Sequence, residues 1–197
     1  MDRAYLDRVA ARWLHRTDIT EDDVNDSILA VTEVLAAMLR VSANETTEVI
    51  AHVVGVPDPL AGYVEMRMVE AAQVGGPKPL ESASLEAVRQ WSSIRVPPSI
   101  YAVWERKLYV GPDVDQEVTA YYWVNPGPIG TDTTDTNPVL TEHPSLYRDG
   151  LLQQLAMLAQ DFELAQAYGD RMAGNLSELN AQAERSRQGG PQRMRAM

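Results

Sequence analysis

The sequence predicts an α+β fold, in which a helical bundle of N-terminal helices and a C-terminal helical hairpin carries an inserted antiparallel β region. Apolar residues recur at spacings of three and four near both ends of the chain, as on one face of a helix. Between them, residues 46–124 are rich in β-branched and aromatic residues interrupted by Pro and Gly, which is typical of strands and turns. The 197 residues, 45% of them hydrophobic, can bury one substantial core, so we predict a single domain over residues 1–185.

Two helices are predicted in the N-terminal part. The first, over residues 2–15, gathers on one face Leu6, Val9, Ala10, Trp13 and Leu14. The second, over residues 21–41, begins after a pattern close to a capping box, with Thr20 as the cap and Asp23 three positions on. Its apolar stripe consists of Val24, Ile28, Val31, Leu35 and Met38. Such a stripe is usually bundle core, and the alternative is a surface that binds a partner.

The β region is predicted to contain at least three strands and a hairpin. A strand begins near Thr46, and residues 63–69 alternate in a way that fits a strand or a short helix. Residues 100–104 and 107–110 flank Glu105 and Arg106, which predicts a tight hairpin. Residues 117–124 form the next strand. We expect the hairpin and this strand to pair as an antiparallel meander that the helices cover on one face.

A long polar loop and two helices complete the predicted domain. Residues 125–141 are mostly Pro, Gly, Thr and Asp, and a loop of that length is usually functional or mobile. Helices over residues 144–160 and 162–185 follow, either as an antiparallel hairpin or as one kinked helix. The first apolar stripe is Tyr147, Leu151, Leu155, Leu158 and Phe162, with Ser145, Asp149 and Gln153 pointing elsewhere. The second stripe is Ala165, Tyr168, Met172, Leu179 and Ala183.

Charge is distributed unevenly along the chain. The net charge of −11 argues against a protein that wraps or reads duplex DNA, because such a protein neutralises phosphates with Lys and Arg. All 28 acids precede Arg185, whereas the last 13 residues hold four arginines. Residues 186–197 are therefore predicted to form a flexible basic tail on an acidic body. The alternative is a solvated tail that simply tolerates arginine.

The sequence contains no recognisable catalytic, cofactor or metal motif. His15, His52 and His143 lie far apart without ligand spacing, cysteine is absent, and no phosphate-binding loop or nucleophile elbow is present. We therefore expect no enzymatic activity, no cofactor and no metal. The lack of cysteine, of a signal-peptide pattern and of a stretch of about 18 apolar residues predicts synthesis in a reducing cytosol and no membrane partner.

Aromatic residues gather in the β region. They are Trp91, Tyr101, Trp104, Tyr109, Tyr121, Tyr122 and Trp123. Such residues are normally core or cross-strand pairs, and some of them can instead anchor a subunit interface. Because side chains alternate along a strand, Tyr121, Tyr122 and Trp123 cannot all lie on one face.

The order of these features has a counterpart in a known family. The helical segment WLHRTDITEDDVNDSILAVTEVLAAMLRV is followed by PPSIYAVWERKLYVGP, by EVTAYYWVNP and by a helical segment that begins TNPVLTEHPSLYRDG. This order resembles bacteriophage head-to-tail adaptor proteins, also called head-completion or connector proteins, over nearly the whole chain. The most distinctive pattern is Asn137, Pro138, Pro144, Leu146 and Tyr147, followed by a helix that ends at Gln160 and Asp161.

The resemblance implies a structural protein of the virion neck, synthesised in the cytoplasm of the host bacterium. Such proteins form a homo-oligomeric ring of about twelve copies beneath the portal, which joins the DNA-filled head to a tail or nozzle protein. The lumen of the ring continues the channel through which genomic DNA leaves, without binding its sequence. In this family the C-terminal tail often extends along a neighbour or the portal, so the resemblance points to Arg187, Arg193 and Arg195 as portal or neighbour contacts.

The alternative is a small cytosolic helical interaction or regulatory module that is not part of a virion. Its helices would bind a partner helix, and it would stay a monomer or dimer whether or not a portal ring were present.

Overall fold

In the computed structural model, the chain is described over residues 1–13, 19–91, 97–112 and 115–188, with side chains as far as Arg185. It divides into two compact units. The helical unit consists of residues 1–44 and 126–197, and the β unit consists of residues Glu45–Asn125. Helices and strands are both present, which confirms the α+β class. The two units are described separately below.

The described elements are as follows in chain order. The helices are α1 (Arg3–Ala10), α2 (Glu21–Met38), α3 (Leu85–Trp91), α4 (Pro138–Glu142), α5 (Pro144–Leu158) and α6 (Phe162–Gln188). The strands are β1 (Glu45–His52), β2 (Asp58–Pro59), β3 (Tyr63–Gln73), β4 (Gly76–Pro79), β5 (Glu81–Ser82), β6 (Ile100–Trp104), β7 (Lys107–Gly111) and β8 (Gln116–Val124). Residues 14 and 15, the end of the first predicted helix, lie outside the described part of the chain. Helix α6 extends past its predicted end at residue 185 to Gln188.

The capping box predicted at the start of α2 is confirmed. The Asp23 backbone N–H donates to Thr20 Oγ1 over 3.2 Å, and the Thr20 N–H donates to Asp23 Oδ2 over 2.7 Å. These bonds from Thr20 lower the pKa of the Asp23 carboxyl. The predicted stripe of α2 is buried as far as Leu35, but Met38 is exposed. The helix ends there, and the extended residue Leu39 fills the buried position instead.

Helices α5 and α6 form an antiparallel hairpin. Gln160, between them, has φ +59°, a left-handed conformation that ends the first helix. A Cβ added at Gly150 would meet Met172 Sδ at 3.0 Å, and one added at Gly169 would meet Gln153 Nε2 at 2.7 Å. The start of α5 thus lies beside the middle of α6, and a later part of α5 lies beside an earlier part of α6, so the two helices are antiparallel. The alternative of one kinked helix is wrong.

The predicted apolar stripe of α5 is correct at one end and wrong at the other. Tyr147, Leu151 and Leu155 are fully buried. Leu158 and Phe162 were expected on the same buried face, but both are exposed because the chain turns at that point. Asp149, which was expected to point elsewhere, is only 1% exposed and lies inside the unit.

The predicted loop at residues 125–141 includes a helix and is attached to the N-terminus. Helix α4 starts at Pro138, because Asn137 caps it and Pro suits the first helical turn. The backbone N–H of Arg3 donates to the Asp135 carbonyl over 2.7 Å, and Arg3 Nη1 donates to the Gly130 carbonyl over 3.0 Å. The loop also places Ile129 in the helical core. These contacts fix the loop against the start of α1.

The described residues of the β unit form two four-stranded sheets. The first has the order β1-β8-β3-β4 and the second has the order β2-β7-β6-β5. All pairings are antiparallel except that of β5 with β6, which is parallel. Helix α3 packs beside β6 and β7. The segment at residues 63–69, which fitted either a strand or a helix, is part of β3.

The β6–β7 hairpin is confirmed, but the predicted meander is wrong. Glu105 and Arg106 form the tight turn, with φ of +50° and +58°. Strand β8 does not pair with β7. It lies between β1 and β3 in the other sheet, and its register with β1 runs without interruption from Glu45↔Trp123 to His52↔Gln116. All eight residues of β1 pair with β8, and this long-range pairing replaces the predicted local one.

Side-chain alternation along β8 separates its three consecutive aromatic residues, as the sequence requires. Tyr122 lies in the core of the β unit with Val118 and Ala120, and its ring centroid is 5.9 Å from that of Tyr63. Tyr121 and Trp123 point to the opposite face of the sheet. Burial, followed by the hydrogen bond that its hydroxyl donates to Glu48 over 2.7 Å, raises the pKa of Tyr122.

Candidate functional site

The most distinctive sequence pattern forms a buried polar network in the helical unit. The Leu140 N–H donates to Asn137 Oδ1 over 2.8 Å, which caps α4. Asn137 Nδ2 donates to the Gly127 carbonyl over 3.0 Å and to the Tyr147 hydroxyl over 2.7 Å. One amide therefore connects the loop before α4, the first turn of α4 and the first turn of α5.

The Tyr147 hydroxyl extends this network to α2. It lies 3.1 Å from Thr32 Oγ1, which also donates to the Ile28 carbonyl over 2.8 Å. Tyr147 is fully buried, and its burial raises the pKa of the phenol. The Asn-Pro and Pro-x-Leu-Tyr pattern is thus an internal framework of the helical unit and not itself an exposed contact surface.

Beside this framework, the helical unit has an open groove of about 520 Å³ between α1, the residues that follow it, α5 and α6. We call it the arginine groove. Its aromatic lining consists of Tyr5, Trp13 and Tyr168, and its cations are Arg8, Arg12 and Arg148. A concave site that combines apolar rings with a few charges is typical of a binding site.

The cations of the arginine groove are held in different ways. Arg148 donates from Nε to Asp149 Oδ1 over 2.8 Å, and this bond raises the pKa of the guanidinium. Arg171, which is not in the lining, lies over the ring of the lining residue Tyr168, 5.5 Å from its centroid, as in a cation–π pair. Within the described part of the chain, Arg8 and Arg12 have no ion-pair partner. Four arginines thus gather on a protein whose net charge is −11.

A second surface of the helical unit is the tip of the α5–α6 hairpin, which we call the Phe162 knob. Its apolar members, Met157, Leu158 and Phe162, are exposed, and Phe162 retains 69% of its accessible surface. Asp161 and Glu163 flank Phe162, and Asp161 Oδ1 accepts the Leu164 N–H over 3.1 Å to cap α6. The knob therefore combines exposed apolar side chains with carboxylates.

The β unit contains a buried pair that sequence spacing did not reveal. His52 Nδ1 and Asp58 Oδ2 are 2.6 Å apart, and both residues are buried. His52 is the last residue of β1 in the first sheet, and Asp58 is the first residue of β2 in the second sheet. His52 also lines a cavity of about 410 Å³ together with Arg89 and Tyr109. Of the other histidines, His143 lies in the helical unit, and His15 is outside the described residues.

Other parts of the β unit expose apolar side chains. They follow β1 at Val53, Val54 and Val56, and they occupy the β3–β4 turn at Val74 and the β6–β7 hairpin at Trp104. Trp91 at the end of α3 is also exposed. Of the aromatic residues that the sequence grouped together, Tyr101 and Tyr122 are core residues, whereas Trp91 and Trp104 are available to a partner.

The arginines predicted to contact the portal or a neighbouring copy lie where the structure describes no side chain. Arg187 is in the last turn of α6, where the backbone alone is described. Arg193 and Arg195 lie outside the described residues. Sequence analysis missed the arginine groove and the Phe162 knob. The arginines of α1 were a signal for the groove, whereas periodicity placed Phe162 on a buried face.

Taken together, these surfaces are suited to binding macromolecules. Over the described residues, no group of three or more His, Cys, Asp or Glu side chains is arranged to hold a metal ion, and no helix there has the length and apolar character of a membrane span. A family model described as SU10 adaptor protein matches residues 3–195. No curated protein matches the chain significantly.

Proposed function

The chain belongs to the SU10 adaptor protein family, a family of phage head-tail adaptors, and from this membership we propose that it forms a ring beneath the portal of a DNA-filled head. The family implies a position in the virion neck and interaction with portal and tail proteins. The ring would be a homo-oligomer of about twelve copies closed by heterologous contacts. The match over residues 3–195 is the observation that carries this proposal, and it favours the adaptor over a cytosolic regulatory module.

The acidic composition supports a passive role toward DNA. With a net charge of −11, the protein repels phosphates, so genomic DNA would slide through the lumen of the ring without being held. Binding to DNA would need a basic surface, whereas the three arginines that line the arginine groove adjoin aromatic side chains in a site of about 520 Å³. We therefore propose that the arginine groove binds protein and that acidic or neutral surfaces line the lumen of the ring.

The basic C-terminal tail supplies the contact with the portal in this proposal. Arg187, Arg193 and Arg195 follow the acidic body and would bind carboxylates of the portal or of a neighbouring copy. Helix α6 extends to Gln188, so Arg187 belongs to its last turn and the proposed contact begins on this helix. The tail would then bind the portal in addition to any contact that the folded body makes with it.

Electron microscopy of the protein mixed with portal rings from the same genome tests the proposal. We expect an additional ring of density beneath the portal, with a copy number that can be counted in end-on views. Portal rings that remain bare while the adaptor stays monomeric would contradict it.

The tail contact is tested in the same assay by changing Arg187, Arg193 and Arg195 together to Gln. This full-length variant should fold normally but occupy fewer portals at a given concentration. The matched control changes Lys78, Arg106 and Lys107, which are exposed cations of the β unit, to Gln. Equal occupancy by the tail variant and the wild type would show that these arginines do not contribute to portal binding. It would not contradict the proposed ring.

A further inference from the structure

We propose that the Phe162 knob of one copy inserts into the arginine groove of the next copy, and that this is a head-to-tail contact of the adaptor ring. The inference rests on the proposed ring and identifies two surfaces that would close it. Both surfaces lie within the helical unit. The contact would pair the exposed Phe162 with the rings of the groove, and the flanking carboxylates with its arginines.

Charge and shape favour this occupant. The groove presents Arg8, Arg12 and Arg148 beside aromatic side chains, and Arg171 lies over the ring of Tyr168. The knob presents Asp161 and Glu163 on either side of Phe162. A cavity of about 520 Å³ falls within the range of roughly 300–1,000 Å³ that is usual for binding sites. It has room for the Phe162 ring together with a neighbouring aliphatic side chain. Arginine and aromatic residues are also the types that dominate interface energetics.

The knob cannot occupy the groove of its own copy. Leu152 and Tyr168, which line the groove, lie eight residues before and after Gln160 in the hairpin turn. Eight residues of helix span about 12 Å, so the groove opens on the side of the hairpin and the knob forms its tip. A hairpin tip does not fold back onto its own flank without unfolding two turns of helix. Another molecule must therefore supply the knob.

Two different surfaces on one molecule produce a heterologous contact, which closes a ring when the rotation between copies allows it. A portal or tail segment that carried an apolar side chain between carboxylates would have similar chemistry. The second copy is favoured because its matching segment is present, exposed and already ordered by the Asp161 cap of α6. A preorganised segment loses less conformational entropy when it binds than a flexible one does.

Disulfide trapping between copies is a direct test, because the chain has no cysteine of its own. Arg12→Cys and Glu163→Cys are made in separate proteins at exposed positions, mixed, and oxidised alone and after addition of portal rings. We expect a covalent heterodimer that is much more abundant than either homodimer. The control pairs Glu163→Cys with Val74→Cys, at a fully exposed turn of the β unit. No excess of the Arg12–Glu163 product over this control, with or without portal, would overturn the inference.

The double variant with both cysteines in one chain distinguishes the geometry. A head-to-tail contact yields a ladder of trimers and larger species, whereas a reciprocal pair of contacts stops at a dimer. A dimer as the sole product would overturn the head-to-tail arrangement. Bare portals in the microscopy assay would count against the proposed function, whereas decorated portals without the disulfide would count only against this contact.

Charge reversal tests the same contact independently, by measuring self-association of variants that contain no introduced cysteine. Arg12→Glu and Glu163→Arg should each weaken self-association, and their combination in one chain should restore it. Phe162→Ala should weaken it by about 30-fold or more, as expected for an aromatic residue at the centre of an interface. Circular dichroism should show that all four variants remain folded, since the substituted side chains are exposed. Additive losses in the double charge variant would contradict the pairing of these two residues.

Discussion

At the scale of single residues, the Asn137 and Tyr147 network explains why a short polar pattern marks this chain. Asn137 uses its carbonyl oxygen for a helix cap and its amide for two further hydrogen bonds, so its side chain has almost no spare capacity. The sequence indicated a helix start at Pro144, and this is correct, whereas the helix that starts at Pro138 was missed because residues 125–141 were expected to form a loop. It could not indicate that Thr32, more than 100 residues away in sequence, completes the network, because nothing in local periodicity specifies a long-range hydrogen bond.

Removing the Tyr147 hydroxyl should destabilise the protein. Tyr147→Phe leaves Asn137 Nδ2 with the Gly127 carbonyl alone and Thr32 Oγ1 with the Ile28 carbonyl alone. An unsatisfied N–H is then buried, which costs about 1–3 kcal/mol of unfolding free energy. Urea denaturation measures it as a lower midpoint with an unchanged m-value. Tyr109→Phe is the matched control, because the Tyr109 hydroxyl has no hydrogen bond among the described residues. Equal midpoints for the two variants would show that the network adds no stability.

The same tyrosine should contribute to alkaline unfolding. Burial raises the pKa of Tyr147 in the folded protein above its value of 10.0 in the unfolded chain. The folded state therefore retains a proton that the unfolded state releases, and this contribution to stability is lost as pH rises from 10 through the folded-state pKa. The difference in unfolding free energy between wild type and Tyr147→Phe should shrink over this range. A difference that stays constant from pH 8 to 11 would contradict the assignment.

At the scale of helices and strands, the sequence predicted the elements better than their partners. Periodicity located α2, α5 and the β6–β7 hairpin, because each is specified by residues close together in the chain. It did not predict that β8 pairs with β1 and β3, because high β-propensity indicates a strand but does not specify which strand it pairs with. It also extended the buried stripe of α5 to Phe162, because periodicity alone does not report a turn that lacks Gly and Pro.

Two helical glycines should respond oppositely to alanine. At Gly150 a Cβ would lie 2.9 Å from both Val31 methyl groups and 3.0 Å from Met172 Sδ, so Gly150→Ala should separate α5 from α2 and α6 at a cost of about 1–3 kcal/mol. At Gly174 a Cβ would meet nothing within 4 Å, and Gly174→Ala should stabilise α6 by up to about 1 kcal/mol. Thermal unfolding of the two variants should move the midpoint in opposite directions. A shared direction would contradict the close approach at Gly150.

At the scale of the whole molecule, the chain is one helical unit interrupted by a β unit. Every residue of the first core cluster comes from residues 1–44 or 126–197, and every residue of the second comes from Glu45–Asn125. The sequence indicated the change of composition near residue 46, but a single core for both parts was the simpler expectation for a chain of this length. Two separate cores give the protein two sets of surfaces, which suits an adaptor that meets different partners.

This organisation predicts that the helical unit folds without the β unit. Glu45 pairs with Trp123 across β1 and β8, so the two ends of the β unit are hydrogen-bonded neighbours and a short linker can replace it. A variant in which a few Gly and Ser residues join Asn44 to Pro126 should keep its helical circular dichroism and unfold cooperatively, because its core cluster is complete. Its urea m-value should be lower than that of the full chain, since less surface is exposed on unfolding. The control carries Tyr147→Phe in the shortened chain and should lower its midpoint, as in the full chain. A shortened protein that lacks a cooperative transition would show that the helical unit depends on the β unit for its stability.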